Sequence, residues 1–357
     1  MPTKRIAFLT LIFISVIGYK IAVCDDQKSA EQNVAPQDVT KTAPLAQSLQ
    51  NNHRRFPDDN NTLIDISTAL AQGVYYPIGS NICRLINHNR NKLHMDCRAL
   101  LSAGSFRNLQ LLSSGEVSFA IVQSDLTRDA VLGSGLFAKL GPNNKLKLVA
   151  ALHEEPLVIV VRAESEIKSL DDLAGKVINL GENISTNVKN LTDLIFKIKG
   201  WSNTTFKRIT NFNVEEQPEA LCNKYTDVML LIAGTPNKIV QKVARLCEVR
   251  IIEITDPAIL GVIENDGVFI KTTIPGGVYL GVPKDIETVG VKAVLLTTDA
   301  TSEDSVYKIT KTIVENSTYL KMIMQALANI EIVSSTLSMQ NIVPLHEGSM
   351  KFYNENR

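Results

Sequence analysis

Hydrophobic and polar positions alternate between two periods along most of this chain. Val117–Val122 is a short apolar run rich in β-branched residues, followed by Gln123-Ser124-Asp125 and a helical stretch. Leu146–Ala151, Leu157–Val161, Val177–Leu180 and Asp227–Ile232 read as buried strands, as do Val278–Val282 and Val289–Thr297 nearer the C-terminus. Between them lie helical patterns at Lys168–Ala174, at Ser185–Lys199 and at Ile239–Leu246. Ser169 is placed to cap the first, and Pro236 suits the opening turn of the last. Three further helices are expected at Glu303–Asn316, Ser317–Ala328 and Ser334–Gln340. Strands alternating with helices of this length predict an α/β protein with largely parallel sheets.

The N-terminus follows a different pattern. Met1–Arg5 is basic, Ile6–Tyr19 is almost wholly apolar, and Ala22-Val23-Cys24 supplies small residues before a polar change at Asp25. This is the order of a secretory signal peptide, cleaved near residue 24, and it predicts a periplasmic location. The apolar run is about 14 residues, short of the roughly 20 a membrane-crossing helix needs. An uncleaved anchor and a lipoprotein modified at Cys24 are the alternatives. Residues 25–60 are rich in Gln, Asn, Asp, Lys, Pro and Ser and are read as a flexible polar linker.

Loss of residues 1–24 removes Lys4, Arg5 and Lys20 and no acid, leaving 34 basic against 37 acidic residues, a net charge of −3. That balance argues against a nucleic-acid binder, whose binding is driven by a concentrated basic surface. Apart from Cys24, the cysteines are Cys83, Cys97, Cys222 and Cys247. An even number in an exported chain points to disulfides, for which four cysteines allow three connectivities. Local pairing, Cys83 with Cys97 and Cys222 with Cys247, puts one bridge in each half. Four free buried thiols are the other reading.

Candidate chemistry gathers at strand-to-helix turns, where small or hydroxyl residues open a helix. These are Tyr76-Pro77-Ile78-Gly79-Ser80, Gly104-Ser105-Phe106-Arg107-Asn108, Gln123-Ser124-Asp125, Ile184-Ser185-Thr186-Asn187 and Gly234-Thr235-Pro236-Asn237. In open α/β sheets such turns lie at the carboxyl ends of strands, where ligands bind. A helix N-terminus presents unpaired N–H groups and suits a carboxylate. Any one of these residues alone is more simply a helix cap. Catalytic signals are sparse. The five histidines have no GxSxG or HExxH companions, and no phosphate loop or dinucleotide fingerprint is present. His153-Glu154-Glu155 is a poor metal motif, since neighbours along a strand face opposite ways. No enzyme activity, metal or cofactor is expected.

At these turns the chain resembles a known family. Gly73-Val74-Tyr75-Tyr76-Pro77-Ile78-Gly79-Ser80-Asn81-Ile82-Cys83-Arg84-Leu85 is similar to the opening motif of the TAXI family. These are the extracytoplasmic solute-binding proteins of tripartite ATP-independent periplasmic (TRAP) transporters. The likeness continues through Ile121-Val122-Gln123-Ser124-Asp125, Ser169-Leu170-Asp171-Asp172-Leu173, Thr273-Ile274-Pro275-Gly276-Gly277 and Pro344-Leu345-His346-Glu347-Gly348. It spans about residues 68–355 and includes the four cysteines.

The resemblance implies a two-lobed periplasmic-binding-protein type II fold with the ligand cleft between lobes. One lobe would comprise residues 61–160 plus 275–357, the other 161–274. It implies capture of a small carboxylate, a glutamate-like amino acid or a dicarboxylate, and delivery to TRAP membrane subunits. Matched positions give Tyr76, Gly79, Ser80, Ser105, Asn108, Gln123, Ser124 and Asp125 from the first lobe, and Ser185, Thr186, Asn187, Thr235 and Pro236 from the second. One turn departs from the pattern: Gly181-Glu182-Asn183-Ile184-Ser185-Thr186-Asn187-Val188 lacks a Gly and an Arg usual in the family. Arg107 or Arg128 would then be the substitute cations, although each also reads as part of a solvated helix face. A ligand-sensing or surface module on the same scaffold, without a transport role, is the principal alternative.

Overall fold

A computed structural model describes residues 61–181 and 186–356, with the side chains of 182–187 left out of the description. The expected signal segment, the linker and Cys24 lie outside the described residues. Among those described, ten strands form one sheet, eight of them in a single path. They are β1 (Thr62–Ser67), β2 (Met95–Leu100), β3 (Phe119–Gln123), β4 (Leu146–Arg162), β5 (Val177–Asn179), β6 (Arg208–Thr210), β7 (Val228–Ile232), β8 (Val249–Ile251), β9 (Ile270–Ile274) and β10 (Ile286–Thr298). Their order is β2-β1-β3-β10-β4-β7-β5-β6, with β8 also on β4 and β9 also on β10. β1 pairs in parallel with β2 and β3, and β5 with β6 and β7. The long strands β4 and β10 run antiparallel to each other and to their other neighbours.

The eight described helices of nine residues or more are α1 (Tyr75–His88), α2 (Ser105–Ser113), α3 (Ser124–Leu132), α4 (Thr186–Lys199), α5 (Lys238–Leu246), α6 (Pro257–Asp266), α7 (Glu303–Glu315) and α8 (Glu347–Glu355). Helix α1 buries Tyr75, Ile78, Gly79, Ile82, Cys83 and Ile86, the stripe that a 3.6-residue period lays on one face. Asn237 caps α5, its side chain accepting from the backbone N–H groups of Ile239 and Val240. β3 and β7 are buried at every position, which explains their unbroken apolar sequences.

Three groups of apolar residues fill the interior, one in the first half and two in the second, which together make its core from either face of the sheet. The first joins β1–β3 and α1 to the β4 segment up to Leu152, the β10 segment from Ala293 to Leu296, and Tyr353 of α8. The other two surround β5 and β7, with Leu157, Ile159 and Val161 of β4 on one side of the sheet and Val158 and Val160 on the other. That alternation is the two-residue period of a strand buried on both faces. β4 thus leaves one core after Leu152 and enters the other at Leu157, while β10 makes the return passage between Val291 and Ala293.

The α/β class expected from the sequence is the class found. Five details differ. The sheet is mixed and not largely parallel, because the long strands β4 and β10 make all five antiparallel pairings against four parallel ones. The helix expected over Lys168–Ala174 with a Ser169 cap is a three-residue 3-10 turn, Asp171–Leu173, because the Asp172 carboxylate accepts from the Lys168 and Ser169 backbone N–H groups. Leu146–Ala151 and Leu157–Val161 are one strand, because the polar interval between them holds buried His153 and Glu155 bonded to each other. The stretch Val278–Val282 is a turn with a single bridge between Tyr279 and Val282, and the strand is Ile270–Ile274. Gly277 and Gly281, both with φ near +78°, break the extended run. The helix expected over Ser317–Ala328 stops at Ile323. Cys83 is bridged to Cys97 and Cys222 to Cys247, at Cα separations of 4.8 and 5.7 Å.

Candidate functional site

A cavity of about 400 Å³ lies where the two cores meet. From the first side it is lined by Gly73, Val74 and Tyr75 at the start of α1, by Gly104 and Ser105 at the start of α2, by Gln123 at the end of β3, and by Glu155 of β4. From the second it takes Gly181 after β5, Val188 of α4, Leu230–Gly234 at the end of β7, and Asn237 and Ile239 at the start of α5. The carboxyl ends of β3, β5 and β7 therefore converge on it, the usual place for a ligand in an open α/β sheet.

The floor is a polar cluster closed off from solvent. Glu155 is 4% exposed, and its Oε2 accepts from Gln123 Nε2 at 2.9 Å and from the Tyr75 hydroxyl at 3.2 Å. Its Oε1 lies 3.2 Å from His153 Nε2. Both residues belong to β4 two positions apart, so the strand period puts them on one face. Ser105 Oγ accepts from the Gln123 backbone N–H at 3.1 Å and sits 3.5 Å from the Tyr75 hydroxyl. Burial, then the neighbouring Glu155 charge, hold the Tyr75 phenol well above its usual range, so it serves here as a neutral donor. Gln123 Oε1 and His153 Nδ1 are buried without a partner among the described residues.

Gly234 packs edge-on against this floor. A Cβ at that position would stand 2.7 Å from His153 Cδ2 and 3.0 Å from Val74 Cγ2, so only glycine lets the β7–α5 turn approach so closely. Neither α1 nor α2 has a side-chain cap; their N-terminal ends open directly on the cavity. Opposite stands an apolar wall built from Val188, Leu230, Ile232 and Ile239.

Residues 66–356 match the NMT1-like family. The chain belongs to that family. In its fold this NMT1-like protein is similar to XAC2383 from Xanthomonas citri, solved bound to ATP, at 10% identity and a TM-score of 0.50, over 83% of this chain and 100% of that one. A weaker likeness links it to the periplasmic aliphatic sulphonate-binding protein SsuA from Escherichia coli, at 12% identity and TM-score 0.46, covering 82% and 87% of the two chains. It is likewise weakly similar to a putative L-cystine ABC transporter protein from Listeria monocytogenes, at 13% identity and TM-score 0.43, over 75% and 97%. The expected periplasmic-binding-protein type of fold is the one this NMT1-like protein has. Among the described residues no helix is long and apolar enough to cross a membrane, and no group of three or more His, Cys, Asp or Glu residues could hold a metal ion.

The residues singled out from the sequence fall into distinct places. Ser105 and Gln123 line the cavity of this NMT1-like protein. Asn108 lies beneath it, its Oδ1 accepting from Ser67 and Ser102 at 2.6 Å each and its Nδ2 donating to the Thr68 and Ile121 carbonyls. Ser124 donates to the Val268 carbonyl and accepts from the Lys292 N–H, pinning the start of α3. Asp125 is buried at the same helix start, where burial raises its carboxyl to about 7.

Gly79 lets α1 press on β1, since a Cβ would meet Thr68 Cγ2 at 2.6 Å. Tyr76 and Ser80, one helical turn apart, face a separate outer depression with Arg84 and His88. Thr235 borders a different recess with Glu154 and Thr272, and Pro236 stands before the cap Asn237, outside the opening turn of α5 where the sequence placed it, because the Asn237 side chain takes the first N–H groups. Ser185 lies outside the described residues, as do the side chains of Thr186 and Asn187. Arg107 faces solvent near Glu116 at 3.9 Å, and Arg128 pairs with Asp266 at 2.9 Å beneath the Phe269 ring. Neither arginine is among the described residues that line the cavity.

Sequence reasoning missed Tyr75, His153 and Glu155. Tyr75 is adjacent to the favoured Tyr76, but one residue is a 100° turn of the helix, which sends one ring to the floor and the other outward. Glu155 belongs to the polar interval His153-Glu154-Glu155 inside β4, and nothing in the sequence alone separates it from its neighbours.

Proposed function

We propose that this NMT1-like protein is an extracytoplasmic solute-binding receptor. In this reading it captures a small organic carboxylate between two lobes and delivers it to the membrane subunits of a TRAP transporter. The observation that carries the reading is the cavity at the meeting of the two cores, lined from both and sized for a small metabolite. The uncapped N-terminal ends of α1 and α2 supply N–H donors and partial positive charge for a carboxylate. The transporter partner and export after loss of residues 1–24 rest on the resemblance and on the N-terminal pattern.

Capture works by closure. Lobes of about residues 61–160 plus 275–357 and 161–274 would bend about β4 and β10. Contacts between α3 and the second lobe, Asn190 to Asp129 at 2.8 Å and Arg128 to Asp266, must part when the cleft opens. Only a solute that favours the closed form can drive the change. Moving the population from 1:99 to 99:1 takes about 5.5 kcal/mol of preference, which a few charge-assisted hydrogen bonds supply. The test is thermal unfolding of the oxidised protein against amino acids, dicarboxylates and 2-oxo acids. A solute at about 100 times its Kd stabilises the fold by about 2.7 kcal/mol, a visible rise in melting temperature. A panel without a shift would end the reading, and co-purification with transporter membrane subunits tests its last step.

A further inference from the structure

The charge of the cavity narrows the solute, provided that the solute-receptor reading above holds. Its charged lining residues are Glu155 and Glu215, both acidic, and no lysine or arginine lines it among the described residues. The adjoining segment 182–187 (Glu-Asn-Ile-Ser-Thr-Asn) contains no lysine or arginine in its sequence either. A dicarboxylate would bring two negative charges to a site whose buried carboxylate already lacks a Lys or Arg partner.

The hydrogen-bond inventory points the same way. Glu155 is an acceptor at about four lone-pair positions, and three side chains face it: Tyr75, Gln123 and His153. Gln123 spends its amide N–H on Glu155, which fixes the opposite end of the amide, Oε1, as a second acceptor. That oxygen has no partner among the described residues, although the residue is only 2% exposed and lines the cavity. The floor therefore holds acceptors in excess, and a group with several N–H donors and a positive charge satisfies them. Tyr75 and Ser105, the first residues of α1 and α2, both touch this floor. An ammonium seated on Glu155 thus leaves a carboxylate one carbon away at the two open helix ends. Across the cavity the wall is Val188, Leu230, Ile232 and Ile239.

We propose that the solute is a zwitterionic α-amino acid with an apolar side chain, its ammonium held by Glu155 and Gln123 Oε1 and its side chain against the second-core wall. The experiment is calorimetric titration of the whole protein with four probes: leucine, its 2-oxo analogue 4-methyl-2-oxopentanoate, glutamate and glutarate. Leucine is expected to bind about 30-fold or more tightly than its 2-oxo analogue, which differs only in the amino group, and more tightly than glutamate. Glu155→Gln is expected to weaken leucine by tenfold or more while leaving the far-ultraviolet circular dichroism unchanged. Should that variant fail to fold, the comparison of leucine with its 2-oxo analogue on the parent protein decides the matter. Tighter binding of the 2-oxo acid or of glutarate overturns the ammonium assignment and leaves solute capture standing. Tighter binding of glutamate than leucine overturns the apolar side chain. Silence from all four probes and from the wider thermal panel overturns the receptor reading itself.

Discussion

Gly290 offers a sharp test of how the two long strands meet. It lies in β10 opposite Pro156, next to the part of β4 that carries Glu155. A Cβ on Gly290 would fall 2.2 Å from the Glu155 carbonyl oxygen, 2.9 Å from its carbonyl carbon and 2.9 Å from Pro156 Cα. All three are backbone atoms, so no rotamer change relieves the clash. Ordinary contact begins at 3.4 Å, and the strands must separate by about 1.2 Å to reach it. Overpacking of this kind costs about 1–3 kcal/mol, and a purely backbone obstacle belongs at the upper end. Gly290→Ala is therefore expected to lower the melting temperature by about 4–5 °C. Gly261→Ala is the control, since Gly261 lies within α6 and a Cβ there meets nothing within 4 Å. The control should be neutral or gain about 0.5–1 kcal/mol from helix propensity. Differential scanning calorimetry of both variants under oxidising conditions gives the comparison. Equal melting temperatures for Gly290→Ala and the parent would refute the reasoning, because they would mean that the strands part at no cost.

Three further outcomes follow from the same structure. Asn108→Ala takes the acceptor from the buried Ser67 hydroxyl and a donor each from the Thr68 and Ile121 carbonyls, while Ser102 keeps its bond to the Thr68 carbonyl, and should cost about 2–3 kcal/mol by urea denaturation; a loss under 1 kcal/mol would show the network to be idle. Asp125 has a folded pKa of about 7 against an ordinary 3.8, so the folded state holds the extra proton between those values and stability falls as pH rises through that window. Asp125→Asn removes the dependence: its melting temperature should gain on the parent from pH 4 to pH 7 and then hold level, and a pH-independent difference would count against the assignment. Replacing Cys222 and Cys247 together by serine opens a bridge spanning 25 residues, for which loop-closure entropy gives a loss of about 3 kcal/mol; an unchanged midpoint for the double variant would contradict it.

The parts of the fold legible in the sequence are those in which one period dominates. β3, β7 and α5 carry unbroken or strictly periodic apolar positions, because each is packed on its full face. β1 and β2 escaped notice for the opposite reason. β2 is short and lies at the end of the strand order, and its Arg98 pairs with Asp65 on β1 at 2.7 Å. A strand that owes its register to a partner thirty residues away has little local signature. The site divides in the same way. Ser105 and Gln123 could be named because helix-opening turns announce themselves in the sequence. Tyr75 and Glu155 could not, since their value lies in a hydrogen bond across eighty residues. Asn108 shows the reverse error: a polar residue at a ligand-type turn proves to be bonded wholly within the protein.

β4 and β10 each pass unbroken through both cores. The boundary between the halves is thus an ordered pair of hydrogen-bonded strands, where many proteins have a flexible tether. Cutting there would strip each sheet of an interior strand and expose its pairing groups, so neither half is an independently heritable piece of structure. Melting should be equally indivisible, since loosening one core frees the strand ends on which the other depends. A single cooperative transition is expected on heating, and recombination between relatives should be tolerated only where both crossings come from the same parent.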